Sequence, residues 1–342
     1  MTNLEFGRRT FLASATAAIT ATSLQFPMAG STRAAQGTDA SSLAFGDLKQ
    51  VRAGVLNVGY YDTGPADGQV VVLLHGFPYD VQSYIEVAPS LIGQGFRVLV
   101  PYLRGHGTTT FADKSTPRSG EQAALGKDLV DFLNALGVER AIFAGYDWGG
   151  RAGCVAAALW PDRCSGLVSV NGYLIQDIAN AGKPAPARVE RGFWYQFYFQ
   201  TERGRAGLHA NRRDIARIMW RENSPTWQFD EVTFERSAKS FDNPDYVDVV
   251  IHSYRHRLGG ASGYPDYEAL QSQLAAQPMI AVPSVTLDGD ADGVVTATDG
   301  KAQASRFSAE RVHHIIAGVG HNLPQEAPSA FVDAITEVSS MA

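Results

Sequence analysis

The sequence predicts an α/β fold: a doubly wound, mostly parallel sheet with an inserted helical cap. Three observations carry this. Short, continuous apolar runs rich in Val recur along the 342-residue chain, and such runs suit strands buried on both faces of a sheet. Segments with helical spacing separate them, the βαβ alternation of a parallel sheet. The alternation fails over residues 172–277, where aromatic residues, Arg and Pro take over, and the strand pattern resumes at Pro283.

Residues 1–35 precede this fold and read as an export segment. Arg8-Arg9 stands before Thr10-Phe11-Leu12 and a weakly apolar run from Ala13 to Leu24, with small residues near Ala29 and Ala34 for a signal peptidase. Paired arginines ahead of mild hydrophobicity point to the bacterial twin-arginine route and a periplasmic destination. The run is short and broken by Thr and Ser, so no stable membrane insertion is expected after its removal.

The core spans residues 45–171 and 278–342. Its first strand run is Gln69–Leu74, followed by Arg97–Val100, Ala141–Ala144 and Gly166–Val170. Between the second and third, Leu125, Leu129, Phe132, Leu133 and Leu136 recur at three- and four-residue intervals, and Gly137 stops that helix. After the cap come Ser284–Leu287 and Val312–Ile316. Within the cap, Ile215, Ile218 and Met219 keep helical spacing. Six arginines lie between Arg203 and Arg221, but the whole cap balances 13 basic against 13 acidic residues. The arginines therefore read as a solvated helix face.

Composition is that of an ordinary globular protein, 45% hydrophobic and 19% charged. A net charge of -6 argues against a nucleic-acid partner. Cys154 and Cys164 are too few for a disulfide framework or a four-ligand zinc site, and buried free thiols are the expectation. His313-His314 lies in a strand run, where alternation sends the two rings to opposite faces, so a shared metal site is not expected. No dinucleotide or P-loop fingerprint occurs and no cofactor is inferred. The oligomeric state stays open, a homodimer included.

The chemistry gathers at strand ends. Gly145-Tyr146-Asp147-Trp148-Gly149 runs from a strand straight into a helix. Small residues two before and two after the central position permit the strained turn of a nucleophile elbow, occupied here by Asp147. His75-Gly76-Phe77-Pro78 follows the first core strand. Asp288-Gly289-Asp290-Ala291-Asp292-Gly293 follows the strand after the cap, and Gly318-Val319-Gly320-His321 follows the last.

This order of nucleophile, acid and histidine resembles the α/β-hydrolase superfamily from about residue 45 onward. The Asp elbow followed by Trp is similar to the branch of soluble epoxide hydrolases and haloalkane dehalogenases. Trp194-Tyr195-Gln196-Phe197-Tyr198-Phe199-Gln200 and Ser253-Tyr254-Arg255 resemble the two lid-tyrosine segments of soluble epoxide hydrolases. The resemblance implies Asp147 as nucleophile, His321 as base, Asp292 as its acid with Asp290 as rival, and Tyr195 with Tyr254 as proton donors. It implies an oxyanion hole from the N–H groups of Phe77 and Trp148. The expected pocket wall is Phe77, Trp148, Trp194, Gln196 and Phe197.

Chemistry favours this set for an epoxide. A saturated epoxide carbon opens by backside displacement, and a carboxylate nucleophile leaves an ester that water can cleave, where a serine would leave an ether. A phenol, with an ordinary pKa of about 10, protonates the developing alkoxide better than water does. The expected partners are therefore a small, neutral hydrophobic epoxide and water. A haloalkane or haloacid dehalogenase would use the same three residues. Haloacid enzymes resemble D-R-G-G-R at the elbow; this chain reads Asp147-Trp148-Gly149-Gly150-Arg151, and Arg151 is read as a helix-surface or ion-pair residue. A non-catalytic, ligand-binding hydrolase fold is the third reading.

Overall fold

A single nine-stranded sheet organises residues 45–341, the part of the chain described by the computed structural model. The export segment read over residues 1–35 lies outside the described residues. The strands are β1 (Lys49–Ala53), β2 (Leu56–Thr63), β3 (Val70–Leu74), β4 (Arg97–Pro101), β5 (Thr110–Phe111), β6 (Ala141–Gly145), β7 (Cys164–Val170), β8 (Ser284–Gly289) and β9 (Arg311–Ile316). Their order is β1-β2-β4-β3-β6-β7-β8-β9, with β5 paired to β2. All pairs from β4 through β9 are parallel. Every residue of β6, β7 and β8 is buried, as continuous apolar runs require in a sheet covered on both faces.

Each of the six strand runs read from sequence forms a strand, with ends displaced by no more than two residues. The helix carrying Leu125 to Leu133 spans Gln122–Ala135, and Gly137 follows it at φ +66°. The antiparallel start of the sheet was not read from sequence. There β1 pairs with β2 through a turn at Gly54, and β2 lies antiparallel to β4. These strands are one-sided, with exposed and buried residues mixed in β1, so they lack the apolar run that marks the others. His313 and His314 diverge as alternation demands: His313 contacts Thr286 and Thr298, His314 pairs with Glu337. Cys154 and Cys164 are buried and free.

Between β7 and β8 the described elements are helices and turns. They include Ala187–Gly192, Trp194–Tyr198, Glu202–Asn223, Glu231–Ala238, Tyr246–Arg257 and Pro265–Ala275. The arginine cluster lies on the outer face of the third of these: Arg213 pairs with Glu235 and Asp242, and Arg217 with Asp214, Glu231 and Glu235. Its inner face carries Ile215, Met219 and Trp220; Ile218, read as part of that stripe, is exposed. Trp220 stacks on Tyr79 of the core with ring centroids 4.9 Å apart. Its indole N–H donates to the Pro78 carbonyl at 2.6 Å. A buried aromatic pair adds about 0.5–1.5 kcal/mol beyond its area, and here it fixes helix Glu202–Asn223 against the turn after β3.

Candidate active site

Asp147 begins helix Asp147–Leu159 directly after β6, at φ +48°. A non-glycine residue in this left-handed region costs on the order of 1–3 kcal/mol, and the surrounding contacts enforce it. A Cβ at Gly149 would fall inside the Leu74 carbonyl, and one at Gly76 would lie 2.8 Å from the Asp147 Cβ. Both glycines therefore leave room for the turn that lifts Asp147 clear of the sheet. The first helical turn also favours a negative charge electrostatically.

The turn after β3 aims one donor at this carboxylate. The Phe77 N–H donates to Asp147 Oδ1 at 2.7 Å. His75 braces that turn: the Leu103 N–H donates to its Nε2 at 3.0 Å, and its Nδ1 lies 2.9 Å from the Gly76 carbonyl. This network assigns the proton to Nδ1. Burial, reinforced by neighbouring His106, pushes the His75 pKa down to about 3, so the ring is neutral. Trp148 follows in the first helical turn, where amide N–H groups have no carbonyl one turn back.

His321 sits between two carboxylates. Its Nδ1 is 2.8 Å from Asp292 Oδ2 and its Nε2 is 3.7 Å from Asp147 Oδ2. The Asp147 side chain is 17% exposed, against 4% for His321 and none for Asp292. One carboxylate thus keeps some exposure while the other is sealed. Burial opposes a charge on His321, but Asp292 and Asp147 outweigh it and raise its pKa to about 10. Burial would likewise raise Asp147, yet neighbouring His321, the Phe77 amide and Arg257 hold it below the usual carboxylate range. Asp292 Oδ1 accepts the amides of Val294 and Val295 at 2.7 and 3.0 Å. Asp290 is exposed and instead accepts the Gly318 amide at 2.6 Å.

Above Asp147 lie the two cap tyrosines. Tyr195 and Tyr254 meet edge-on with ring centroids 5.3 Å apart, and both are buried. Tyr254 packs 5.5 Å from the Phe77 ring and 6.0 Å from that of Trp148. Burial, then the Asp147 charge, raises the Tyr195 pKa to about 12; burial and Tyr195 raise Tyr254 further. Both hydroxyls therefore keep their protons at neutral pH.

Of the side chains read as a pocket wall, Phe77, Trp148 and Gln196 are buried and Phe197 is not. Phe197 is 50% exposed and lines a surface cleft of about 670 Å³ with Gln176, Gln196 and Leu258. Phe199, buried, takes the inner place against Phe77, Tyr195 and Tyr254. Residues four apart share a helix face, so Tyr195 and Phe199 point inward together and Phe197 does not. Trp194 packs edge-on to Tyr195 and ties its indole N–H to Glu222, while Gln196 is buried beside the Tyr195 hydroxyl. Arg151 is not an ion-paired surface residue: its Nε is buried without a partner and its Nη1 binds the Leu174 carbonyl at 2.9 Å.

Four supporting residues were not read from sequence. Asn171, at φ +66° after β7, donates to Asp292 Oδ2 at 3.3 Å; the Asn171-Gly172 pair at a strand end was its available signal. Ser224 Oγ accepts the His321 amide at 3.0 Å and donates to Glu326 at 2.6 Å. Glu326 in turn accepts the amides of Gly320 and Asn322. Arg257 lies over the Tyr254 ring, its Cζ 4.8 Å from the centroid.

With this geometry in view, the family is plain. Residues 69–328 match the family model of the alpha/beta hydrolase fold, so the chain belongs to that family and is a hydrolase enzyme. Within it, the chain is 47% identical to a Klebsiella pneumoniae protein whose crystal structure is described as a candidate epoxide hydrolase. That match has a TM-score of 0.85 and covers 88% of this chain and 99% of that one. It is 28% identical to epoxide hydrolase A of Mycobacterium tuberculosis, over 81% of this chain and 92% of that protein. Epoxide hydrolase B of the same organism is 34% identical over a shorter stretch, 40% of this chain and 41% of that protein.

Proposed function

We propose that this enzyme is an epoxide hydrolase that converts an epoxide to a vicinal diol through a covalent ester on Asp147. The observation that carries the reading is the Tyr195–Tyr254 pair, 5.3 Å apart and within the field of the Asp147 carboxylate. Phe77 grips Oδ1, so Oδ2 is the attacking oxygen. Its bond to the epoxide carbon forms as the carbon–oxygen bond of the ring breaks, and a tyrosine hydroxyl gives its proton to the leaving alkoxide. Esterification removes the Asp147 charge, one of the two that raise the His321 pKa, so the imidazolium gives up its Nε2 proton, which restores the tyrosine, and becomes a usable base. It then takes a proton from water, whose oxygen attacks the ester carbon. Asp292 holds the Nδ1 proton and stabilises the imidazolium. Negative charge collects on Oδ1, where the Phe77 amide already points, joined in this reading by that of Trp148. Collapse passes the hydroxyl proton of the intermediate to the departing alkoxide and releases the diol, leaving Asp147 ionised beside a protonated His321 as at the start. The export reading of residues 1–35 belongs to the same proposal and would have the reaction run in the periplasm.

Halide release is the second reading, favoured by the Trp148 indole N–H, which is buried without a well-formed hydrogen bond. Facing it is the Phe77 ring, 5.3 Å away and stacked, which supplies no second N–H to a halide. The test is turnover of an aryl epoxide, an aliphatic epoxide, a bromoalkane and a haloacetate, following diol and halide. Diol from the wild type, lost in the Tyr195→Phe, Tyr254→Phe double variant, is the expected result. Halide release that survives the double variant overturns it.

A further inference from the structure

The cap helix Tyr246–Arg257, which carries Tyr254, rests on a short stretch of the core, Ser119-Gly120-Glu121, just ahead of helix Gln122–Ala135. The approach is close. A Cβ added at Gly120 would lie 2.4 Å from the Val249 carbonyl oxygen and 2.6 Å from the Ser253 Cβ, so only glycine lets the two backbones meet here. Two histidines one helical turn apart straddle the contact, their rings nearly parallel with centroids 5.8 Å apart. His252 Nδ1 accepts the Gly120 N–H at 3.0 Å, and His256 Nε2 lies 3.6 Å from Glu121 Oε2. The turn after the helix closes over the same residues. The Tyr264 N–H donates to Glu121 Oε1 at 2.8 Å, and the Tyr264 ring stacks on that of His252 with centroids 4.7 Å apart.

The bonds of His252 demand one protonation state. Nδ1 faces an N–H and must offer a lone pair; Nε2 faces the Ser262 carbonyl at 3.2 Å and carries the proton. A second proton would set two donors, Nδ1–H and the Gly120 N–H, against each other. The contact therefore holds with a neutral imidazole and breaks with a charged one. Several charges face the ring. On the core side are Glu121 and Arg104, the latter paired with Asp128. On the cap side is His256, with Arg257 beside it. The open side is a surface cleft of about 540 Å³, where Lys114, Arg118, Arg205 and Arg255 stand against Asp245 and Asp248. Burial, joined by His256 and Arg104 and opposed by the Ser262 carbonyl and Glu121, holds the His252 pKa below its ordinary value of about 6.5. The neutral ring therefore prevails at pH 7, and the cleft lets water reach it.

We infer that His252 is a positioning residue: its neutral ring latches the helix of Tyr254 to Gly120 of the core, holds that proton donor in place above Asp147, and lets go when it is protonated. This rests on the epoxide reading. Two positions apart on a helix are on opposite sides, so His252 meets the core loop while Tyr254 packs against Phe77 and Trp148. The latch bears on ring opening, where the tyrosines act; ester hydrolysis relies on His321 and Asp292.

The test resolves the two steps in the wild type, His252→Ala and His252→Asn. Asparagine offers its side-chain oxygen near the place of Nδ1 and does not titrate. Rapid-quench kinetics with styrene oxide should show ester formation slowed about tenfold or more in His252→Ala, the scale of a misplaced catalytic group, with ester hydrolysis unchanged. His252→Asn should restore most of that rate. In the wild type, ester formation should also fall between pH 7 and pH 5, an acid limb absent from His252→Asn. Asp147, held below the usual carboxylate range, stays ionised over most of that span. Without any substrate, NMR of the Gly120 amide should show its protection from hydrogen exchange lost on acidification in the wild type and kept in His252→Asn. Protection equal at pH 7 and pH 5, and unchanged in His252→Ala, would overturn the latch. A latch that titrates while His252→Ala forms the ester at the wild-type rate would overturn the positioning role. A latch that titrates with no diol from any epoxide would uphold the docking of the helix and overturn the epoxide reading instead.

Discussion

The Ser224 hydroxyl accepts the backbone amide of His321 at 3.0 Å, so a cap residue holds the histidine loop of the core. Asn223 next to it accepts the amides of Gly293 and His321 through its carbonyl. The end of one cap helix thus anchors both the acid loop and the histidine loop. Ser224→Ala should lower kcat by about tenfold with little change in KM, because substrate contacts are intact while the base is less well held. It should also cost about 1–2 kcal/mol in stability, since half-buried Glu326 loses a donor. Steady-state kinetics and thermal unfolding check both; an unchanged kcat would show that the His321 loop is held without it.

His321→Gln should still open the ring once and then stop. Intact-mass analysis after mixing with an epoxide should find the enzyme heavier by the whole substrate. A folded variant that never gains that mass refutes nucleophilic attack by Asp147.

Asp292→Asn should reduce turnover by on the order of 10⁴, the usual loss when the orienting acid of a triad is removed. Asp290→Asn should cost little activity, because Asp290 caps the Gly318 amide at the surface. Equal, small effects would mean that another group orients His321.

Most of this machinery was legible because each piece is local. The Asp147 elbow, the turn at His75–Pro78 and the loops ending in Asp292 and His321 are each written within a few residues of a strand run. Their helpers were hidden because they act across the chain. Ser224 lies 97 residues from His321, and Asn171 lies 121 from Asp292. No spacing rule reaches that far. Arg151 misled for a related reason: its helix position suggested an ion pair, and only its contacts with the Leu174 carbonyl and Gln176 reveal what surrounds it. In the fold, β1 and β2 escaped notice because a one-sided strand has no continuous apolar run, and Phe197 was exchanged for Phe199 because composition does not say which way a short helix faces.

The raised pKa of His321 makes stability depend on pH. The folded value is about 10 and the ordinary one about 6.5, so the folded state binds the proton more tightly. Its contribution is complete below about pH 6.5 and is lost as pH rises toward 10. The stability difference between the wild type and His321→Gln should therefore be larger at pH 6.5 than at pH 10, read by urea unfolding at each pH. In Asp147→Asn the imidazole loses one of its two carboxylates, and its pKa, followed by NMR of the ring protons, should fall.

The hydrogen bond from Phe77 to one oxygen of Asp147 makes the two oxygens of that carboxylate unequal. On the proposed route Oδ1 stays where the amide holds it, while Oδ2 bonds to carbon and departs as a hydroxyl of the diol. The solvent oxygen that attacks the ester then fills the vacancy. On that route the enzyme would be consumed and rebuilt by one atom in each cycle. The first diol made by a fresh molecule would carry an oxygen laid down when the polypeptide was synthesised, and only later diols would carry oxygen drawn from the surrounding water.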